Sequence, residues 1–356
     1  MFKRFNGLPT FMNWVGQRDN MKAYEVREFG IDNLALVDQE VPEIEANEVL
    51  VRFHAASVNY RDLMVVEGRY NPRMKLPAVP FSDGAGEIAE VGAEVSRWKA
   101  GDRVMPIFVQ QWIDGGPSEE KRRTALGAGA PWQGVLRECG AFHEDGLVRI
   151  PDHLSYEEAA TLPCAAITAW HALAVSGDLK AGETVLTLGT GGVSVFALQF
   201  AKLFGARVIS TSSSDEKLSR TLDLGADETI NYKKHRDWDA AVLELTDKRG
   251  VDHVVEVGGG GTLARSINSV RVGGHIALIG ALEAAGEFSY VSIFMRQVRF
   301  QGIFTGSRAM FEDMNRAIDE AKLRPVVDKV FEFLQVKEAL KYMESGSHFG
   351  KIVVKI

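Results

Sequence analysis

The sequence predicts an α/β protein, a doubly wound parallel sheet joined to a β-rich domain, and three observations carry that prediction. Thr184–Leu203 runs from a buried strand through a glycine turn into a helix without a gap. Between Pro151 and about Phe304, short apolar segments alternate with helical patterns. Between Met21 and about Ile150, short strands succeed one another with turn residues between them and no long amphipathic helix.

In chain order, residues 1–20 form an extension broken by Asn6, Pro9, Asn13 and Arg18. It lacks the continuous apolar stretch and small-residue cleavage site of a secretory signal. Strands are expected at Lys22–Val26, Glu48–Phe53, Gly86–Val91 and Asp102–Pro106. Residues 110–134 read as a polar, glycine-bearing insertion in which Trp112 and Trp132 either line a pocket or sit on a solvated loop.

Thr184-Val185-Leu186-Thr187-Leu188 is short, apolar and β-branched, as a strand covered on both faces must be. Gly189 permits the sharp exit from it, and Gly191 has no Cβ to obstruct an approaching pyrophosphate. The N–H groups opening the next helix would meet that charge. Val195, Phe196, Leu198, Ala201 and Leu203 recur at helical spacing, and Ser194 stands where glycine or alanine is usual. The pattern is that of a dinucleotide-binding βαβ unit. An ordinary βα turn shares it, and the segments that follow decide between the two.

Those segments supply strands at 207–211, 228–231, 253–257, 275–279 and 299–304, with helices such as 215–224 and 238–246 between most of them. Ligand binding is then expected at the carboxyl ends of the strands. A helix is expected at 308–323, and the strand Gly350–Ile356, surplus to a six-stranded sheet, is expected to return to the first domain. The expected organisation is an extension, a β-rich domain at 21–150 completed by 309–356, and a nucleotide-binding domain at 151–308.

Composition narrows the class. A chain of 356 residues with 46% hydrophobic and 25% charged residues has the make-up of a globular protein of about two domains. The net charge of −7, from 41 basic and 48 acidic residues, offers no field for nucleic acid or anionic membrane. No stretch approaches eighteen uninterrupted apolar residues. Cys139 and Cys164 are too few for a disulfide framework or a four-cysteine zinc site, which fits a reducing cytoplasm. His54, His143 and His171 show no metal-ligand spacing.

With these residues in place, Met21–Ile356 resembles the medium-chain dehydrogenase/reductase superfamily. The likeness rests on Ser57-Val58-Asn59-Tyr60-Arg61-Asp62, on Phe81-Ser82-Asp83-Gly84-Ala85-Gly86-Glu87, on the lead-in Thr161–Trp170, and on the glycine turn. It implies a GroES-like first domain and a Rossmann second domain. By motif alignment, the catalytic zinc ligands of the family's alcohol dehydrogenases fall on Asn59, Ser82 and Cys164, and the lobe for their structural zinc falls on the cysteine-free insertion. Catalytic zinc needs three protein ligands, so the chain resembles the zinc-free, quinone-oxidoreductase-like branch and no metal is expected. Cys164 would then be a small buried residue beside the nicotinamide.

The resemblance also implies where a nicotinamide cofactor would lie. Contacts are expected from Thr168, from Gly189, Thr190, Gly191, Gly192 and Val193, and from Gly258, Gly259 and Gly280 at later strand ends. The position whose carboxylate would select NAD is Ser212, followed by Ser213, with Lys217 and Tyr232 close in sequence, which predicts NADP(H). Asp215 either caps its helix facing away or turns toward the ribose. Ser307, Arg308 and Lys351 are further candidates for cofactor phosphate or substrate, or in the case of the two cations ordinary surface charges.

Without zinc, another group must stabilise charge on the substrate oxygen, and the candidates are Asn59, Tyr60, Arg61 and Asp62. A quinone or enone needs less electrophilic help than a saturated ketone. The expected activity is therefore NADPH-dependent reduction of such an acceptor, with two alternatives: an alcohol or aldehyde dehydrogenase, and a non-catalytic NADPH-binding sensor. A homodimer joined through Val291–Phe304 is expected, since that apolar stretch lies at a sheet edge.

Overall fold

The computed structural model describes residues 19–280, 282 and 286–356, so nearly all of the N-terminal extension lies outside the described residues. The first part of the chain carries strands β1 (Asn20–Glu25), β2 (Ala35–Glu40) and β3 (Glu48–Val58), helix α1 (Tyr60–Val66), strands β4 (Asp83–Val91) and β5 (Arg103–Pro106), the short α2 (Glu119–Arg122), and strands β6 (Cys139–His143) and β7 (Leu147–Arg149). A continuous helical run over Tyr156–Ser176 follows, with α3 (Tyr156–Ala159) and α4 (Ile167–Trp170) separated and extended by wider turns. Then come β8 (Thr184–Thr187), α5 (Gly192–Leu203), β9 (Arg207–Ser212), α6 (Asp215–Asp223), β10 (Glu228–Asn231), α7 (Trp238–Leu245), β11 (Val251–Glu256), α8 (Gly260–Ser269), β12 (Val270–Leu278), α9 (Tyr290–Met295) and β13 (Arg299–Gly302). The chain closes with α10 (Arg308–Ala321), β14 (Val327–Glu332), α11 (Val336–Glu344) and β15 (Lys351–Lys355).

Six parallel strands stand in the order β10-β9-β8-β11-β12-β13, which is the doubly wound sheet that the alternation predicts. Strand order reverses between β8 and β11, the switch point whose carboxyl end is where such sheets take their ligands. β1 and β2 pair as a separate two-stranded sheet, and a second large sheet runs β14-β15-β3-β4-β5-β7, with β6 also on β3. Its centre is β3, long enough to serve two neighbours on one side: Glu48–Arg52 pair with β6, and Ala55–Val58 pair with β15.

α11 covers that sheet, placing Val336, Ala339 and Leu340 in one buried cluster with Ala56, Val58, Ile352 and Val354. A second cluster joins the two sheets, since Ala55, Ala85 and Val353 pack with Phe196, Ala197 and Phe200 of α5. The run Tyr156–Ser176 is long and apolar enough to cross a membrane, yet 72% of its most apolar window is buried within the protein, as in a core helix.

Candidate active site

The glycine turn between β8 and α5 is shaped by contacts on all sides. Gly189 takes φ +70°, which glycine adopts without strain, and its N–H donates to Thr211 Oγ1 at 3.3 Å. No described side chain caps α5, so its first N–H groups remain available to an anion. Ser194 fits the third position because its hydroxyl donates to Leu188 O at 2.7 Å, returning a bond to the strand end. The turn is also tied to the segment before β15: Gly350 N–H donates to Thr190 O at 2.9 Å. A Cβ on Gly192 would stand 2.6 Å from Lys351 Cδ and 3.2 Å from Ala165 Cβ, so only glycine lets that lysine pass.

Across the switch point, Glu256 organises the end of β11. Its fully buried carboxylate accepts from Gly258 N–H at 2.8 Å, Gly259 N–H at 3.1 Å and Thr262 Oγ1 at 2.6 Å, and from Ser266 Oγ. The sequence pointed to the glycines and not to this acid, although a glutamate two residues ahead of a strand-end glycine run is a visible signal. At the end of β12, a Cβ on Gly280 would lie 2.0 Å from Val257 O, which leaves no room for a side chain.

At the end of β9, Ser212 Oγ accepts from Ser214 N–H at 3.3 Å, and Ser214 caps α6 by accepting from Lys217 N–H. Asp215 is the first helical residue, its carboxylate accepting from Asn231 Nδ2 at 2.7 Å and pairing with Lys234. Those two partners hold its pKa below the usual range, the Lys234 hydrogen bond most of all. Ser213 is half-buried, and Tyr232 is exposed beyond β10. Lys217 departs from the expectation of a phosphate ligand, because its ammonium donates to Gly346 O at 2.7 Å and His348 O at 2.8 Å. The loop before β15 presents those carbonyls, and they satisfy the charge.

The tetrad Asn59–Asp62 is the N-terminus of α1. Asp62, fully buried, accepts from Asn59 N–H at 2.9 Å, and burial pushes its carboxyl up to about 6 against the opposing pull of Arg61. Arg61 turns away from Asn59, donating to Asp62 at 3.2 Å and Leu126 O at 3.0 Å while lying over the Tyr70 and Phe108 rings. Tyr60 accepts from Arg69 through its hydroxyl at 3.4 Å.

Asn59 itself is 8% exposed and meets Lys351, which is 3% exposed. The ammonium donates to Asn59 Oδ1 at 2.6 Å and to Val58 O at 3.0 Å, and stands 4.0 Å from Asp83 Oδ2. Asp83 is fully buried: it accepts from Ser82 Oγ at 2.7 Å and from Cys164 N–H at 3.1 Å. Burial raises its pKa, and Lys351 opposes the rise. Burial also drives the Cys164 thiol well above its usual range, which keeps it an unreactive thiol. Asn59, Ser82 and Cys164, far apart in sequence, are thus gathered around one lysine and one aspartate.

Lys351 was expected as an open cation for phosphate or substrate. Instead, two of its three N–H groups are taken up by Val58 and Asn59. Arg308 pairs with Asp145 and lies near Glu312, and Ser307 caps α10 by accepting from Met310 N–H at 3.2 Å. Thr168 is buried in α4. Among the described residues, no three His, Cys, Asp or Glu side chains cluster to hold a metal. A separate cavity of about 570 Å³ is lined by Gln110, Trp132, Gln133, Arg137 and His143 and shares no residue with the glycine turn; Trp112 is buried.

A doubly wound sheet with a glycine turn at its switch point, joined to a β unit that delivers a polar cluster to that turn, defines a two-part dehydrogenase or reductase. Residues 45–152 match the alcohol dehydrogenase GroES-like domain, and residues 192–321 match the zinc-binding dehydrogenase domain. The chain is 45% identical to a zinc-type alcohol dehydrogenase-like protein of Schizosaccharomyces pombe, over 92% of this chain and 96% of that one. It is 31% identical to an NADPH-dependent alkenal/one oxidoreductase of Arabidopsis thaliana, over 94% of this chain and 79% of the relative. The crystal structure of an NAD-dependent alcohol dehydrogenase superposes with a TM-score of 0.86 at 34% identity, covering 94% of this chain and all of that one. The chain belongs to the medium-chain dehydrogenase/reductase superfamily of oxidoreductases.

Proposed function

We propose that this protein is an NADPH-dependent reductase that transfers hydride to a quinone or an α,β-unsaturated carbonyl without catalytic zinc. The observation that carries the reading is the Lys351–Asn59 pair, a buried cation and amide beside the glycine turn, with Asn59 at a position where the resemblance puts a zinc ligand. The nicotinamide supplies the hydride when bound. The uncapped start of α5 and the open space over Gly191 suit its pyrophosphate, with Gly189, Thr190, Gly192 and Val193 around it. Ser212 and Ser213, with Tyr232, would hold the 2′-phosphate, and Gly258, Gly259 and Gly280 would face the ribose and ring. No acidic side chain stands at Ser212 to repel a phosphate.

Reduction of a conjugated carbonyl places negative charge on oxygen as hydride reaches carbon. On this reading Asn59 is the donor that meets it, its side chain also hydrogen-bonded to the Asp83 carboxylate, while Asp62 fixes the backbone of the α1 terminus that carries Asn59. Similarity to the Arabidopsis alkenal/one oxidoreductase supports the substrate class and the cofactor. A cytoplasmic homodimer is part of the proposal, the dimer supported by Tyr290, Val291, Phe294 and Met295, which are exposed beside the edge strand β13.

The test follows NADPH oxidation by metal-chelated protein against quinones, enones and saturated aldehydes, with NADH as the control. Turnover of a quinone or enone is expected, faster with NADPH. A saturated aldehyde outpacing every enone would point instead to an alcohol or aldehyde dehydrogenase, and tight NADPH binding with no turnover to a sensor.

A further inference from the structure

The Lys351 stem fills the space over Gly192, whereas the space over Gly191 beside it is open. Beyond the glycine's own chain neighbours, a single atom of the described residues comes as near as 4.0 Å to where a Cβ on Gly191 would stand, and it is His348 Nε2. The other ring nitrogen, Nδ1, is sealed from solvent and has no hydrogen-bond partner among the described residues. Burial above all, with Lys217 and Lys351 acting the same way and Asp328 against them, holds the ring down to about 4. The imidazole is therefore neutral at physiological pH and carries one N–H. A sealed N–H without an acceptor is rarer in folded proteins than a sealed acceptor without a donor, which puts that proton on Nε2. A side-chain donor thus stands over the open glycine of the turn.

From this geometry we infer that His348 is a ligand of the cofactor's pyrophosphate, its Nε2–H donating to an oxygen over Gly191, and that Lys217 is the positioning residue that holds the loop carrying it. The inference rests on the reductase reading and deepens it by naming a side-chain donor for a group that the glycine turn meets with backbone N–H groups. The loop is fixed at both ends. The Lys217 ammonium donates to Gly346 O at 2.7 Å and to His348 O at 2.8 Å, and Gly350 N–H donates to Thr190 O at 2.9 Å. Between them Phe349 is buried, with the Arg220 guanidinium 4.0 Å from the centre of its ring. The His348 ring itself meets Tyr342 edge to face, the centroids 6.4 Å apart. Lys217 and Arg220 both belong to α6, so the helix that follows Ser212 also anchors the loop over Gly191.

The opposing assignment makes His348 a packing residue on Tyr342, and binding measurements separate the two. In full-length protein, His348→Phe keeps a ring and removes the donor. It is expected to weaken NADPH binding, read from nicotinamide fluorescence, by about tenfold or more, the scale of one hydrogen bond to a charged group. His348→Gln, whose amide N–H reaches about as far as Nε2, is expected to stay within about threefold of wild type. Adenosine 2′-phosphate, which has no pyrophosphate, is titrated by calorimetry and is expected to bind wild type and His348→Phe alike. NADPH affinity of the phenylalanine variant within about threefold of wild type would overturn the inference, as would an equal loss for adenosine 2′-phosphate. If that variant does not fold, His348→Ala is read by the same thresholds.

A second arm tests Lys217 by a double-variant cycle. Lys217→Met is expected to weaken NADPH binding by about fivefold in the wild-type background and to have no further effect in the His348→Phe background, because it acts through the histidine. A loss that persists in full in the double variant, accompanied by weaker binding of adenosine 2′-phosphate, would make Lys217 a direct phosphate ligand and overturn its positioning role. A wild type that binds NADPH through His348 yet reduces no acceptor would refute the reductase reading alone. Binding of NADH in place of NADPH would refute the cofactor choice of that reading, and the same tenfold comparison made with NADH, which carries the same pyrophosphate, would still decide the role of His348.

Discussion

Burial is the largest influence on the chemistry of His275. Its ring lies in a chain that runs from Ser176 Oγ at 3.0 Å, through His253 at 3.4 Å, to Glu183 at 3.0 Å from His253. Desolvation holds His275 down to about 4, with the nearby His253 and Arg299 acting in the same direction. Since the folded value lies below that of the unfolded chain, the unfolded state binds the extra proton. The stability at stake is complete above about pH 6.5 and is lost as pH falls toward 4. His275→Gln is expected to remove about 2 kcal/mol of the stability change between pH 7 and pH 5, measured from urea midpoints. Asp62, raised to about 6, contributes with the opposite sign, costing stability as pH climbs from the unfolded carboxylate range through 6, so the comparison must be made variant against wild type. At this scale the sequence was partly legible. It marked Asn59, Ser82 and Cys164 as one locus, because motif alignment put the family's zinc ligands there. It left Lys351 open between cofactor phosphate, substrate and surface charge, because nothing local in the chain reveals that Val353 pairs with Ser57 and so brings Lys351 beside Asn59.

Among the elements, the strand and helix at the glycine turn were the most legible, since a buried apolar run, a turn and helical spacing occur there in immediate succession. α1 was hidden because seven residues give too short a period to stand out between two strands. α11 was open to reading: Val336, Ala339, Leu340 and Met343 carry the spacing of a buried helical face. The turn yields a prediction of its own. Gly192→Ala places a methyl group against Lys351 Cδ and Ala165 Cβ, and is expected to weaken NADPH binding at least tenfold by fluorescence titration while also reducing kcat. At the sheet edge, α9 exposes Tyr290, Phe294 and Met295 beside β13. If two protomers meet there, Phe294→Glu combined with Met295→Glu is expected to halve the mass measured by light scattering without changing the far-UV circular dichroism. A monomeric wild type would refute the dimer at once.

The whole molecule divides its work between two sheets that need each other. One supplies the glycine turn at its switch point, and the other supplies the polar cluster through β3, α1 and β15. On the proposed reading, cofactor choice follows this division, because Ser212 and Tyr232 lie at the ends of β9 and β10, away from the Asn59 cluster. Ser212→Asp is accordingly expected to reverse the preference for NADPH over NADH by at least tenfold in kcat/KM while leaving the order of acceptors unchanged. The pairing of β15 with β3 has a consequence in time. Ser57 Oγ donates to Ile352 O across 295 residues of chain, whereas the parallel sheet is assembled from neighbours in sequence. Closing so long a loop is entropically slow, so nucleation belongs to the parallel sheet and the amide and ammonium meet late. Refolding from urea should therefore restore far-UV circular dichroism before it restores turnover, with the interval between the two signals marking the capture of one short strand.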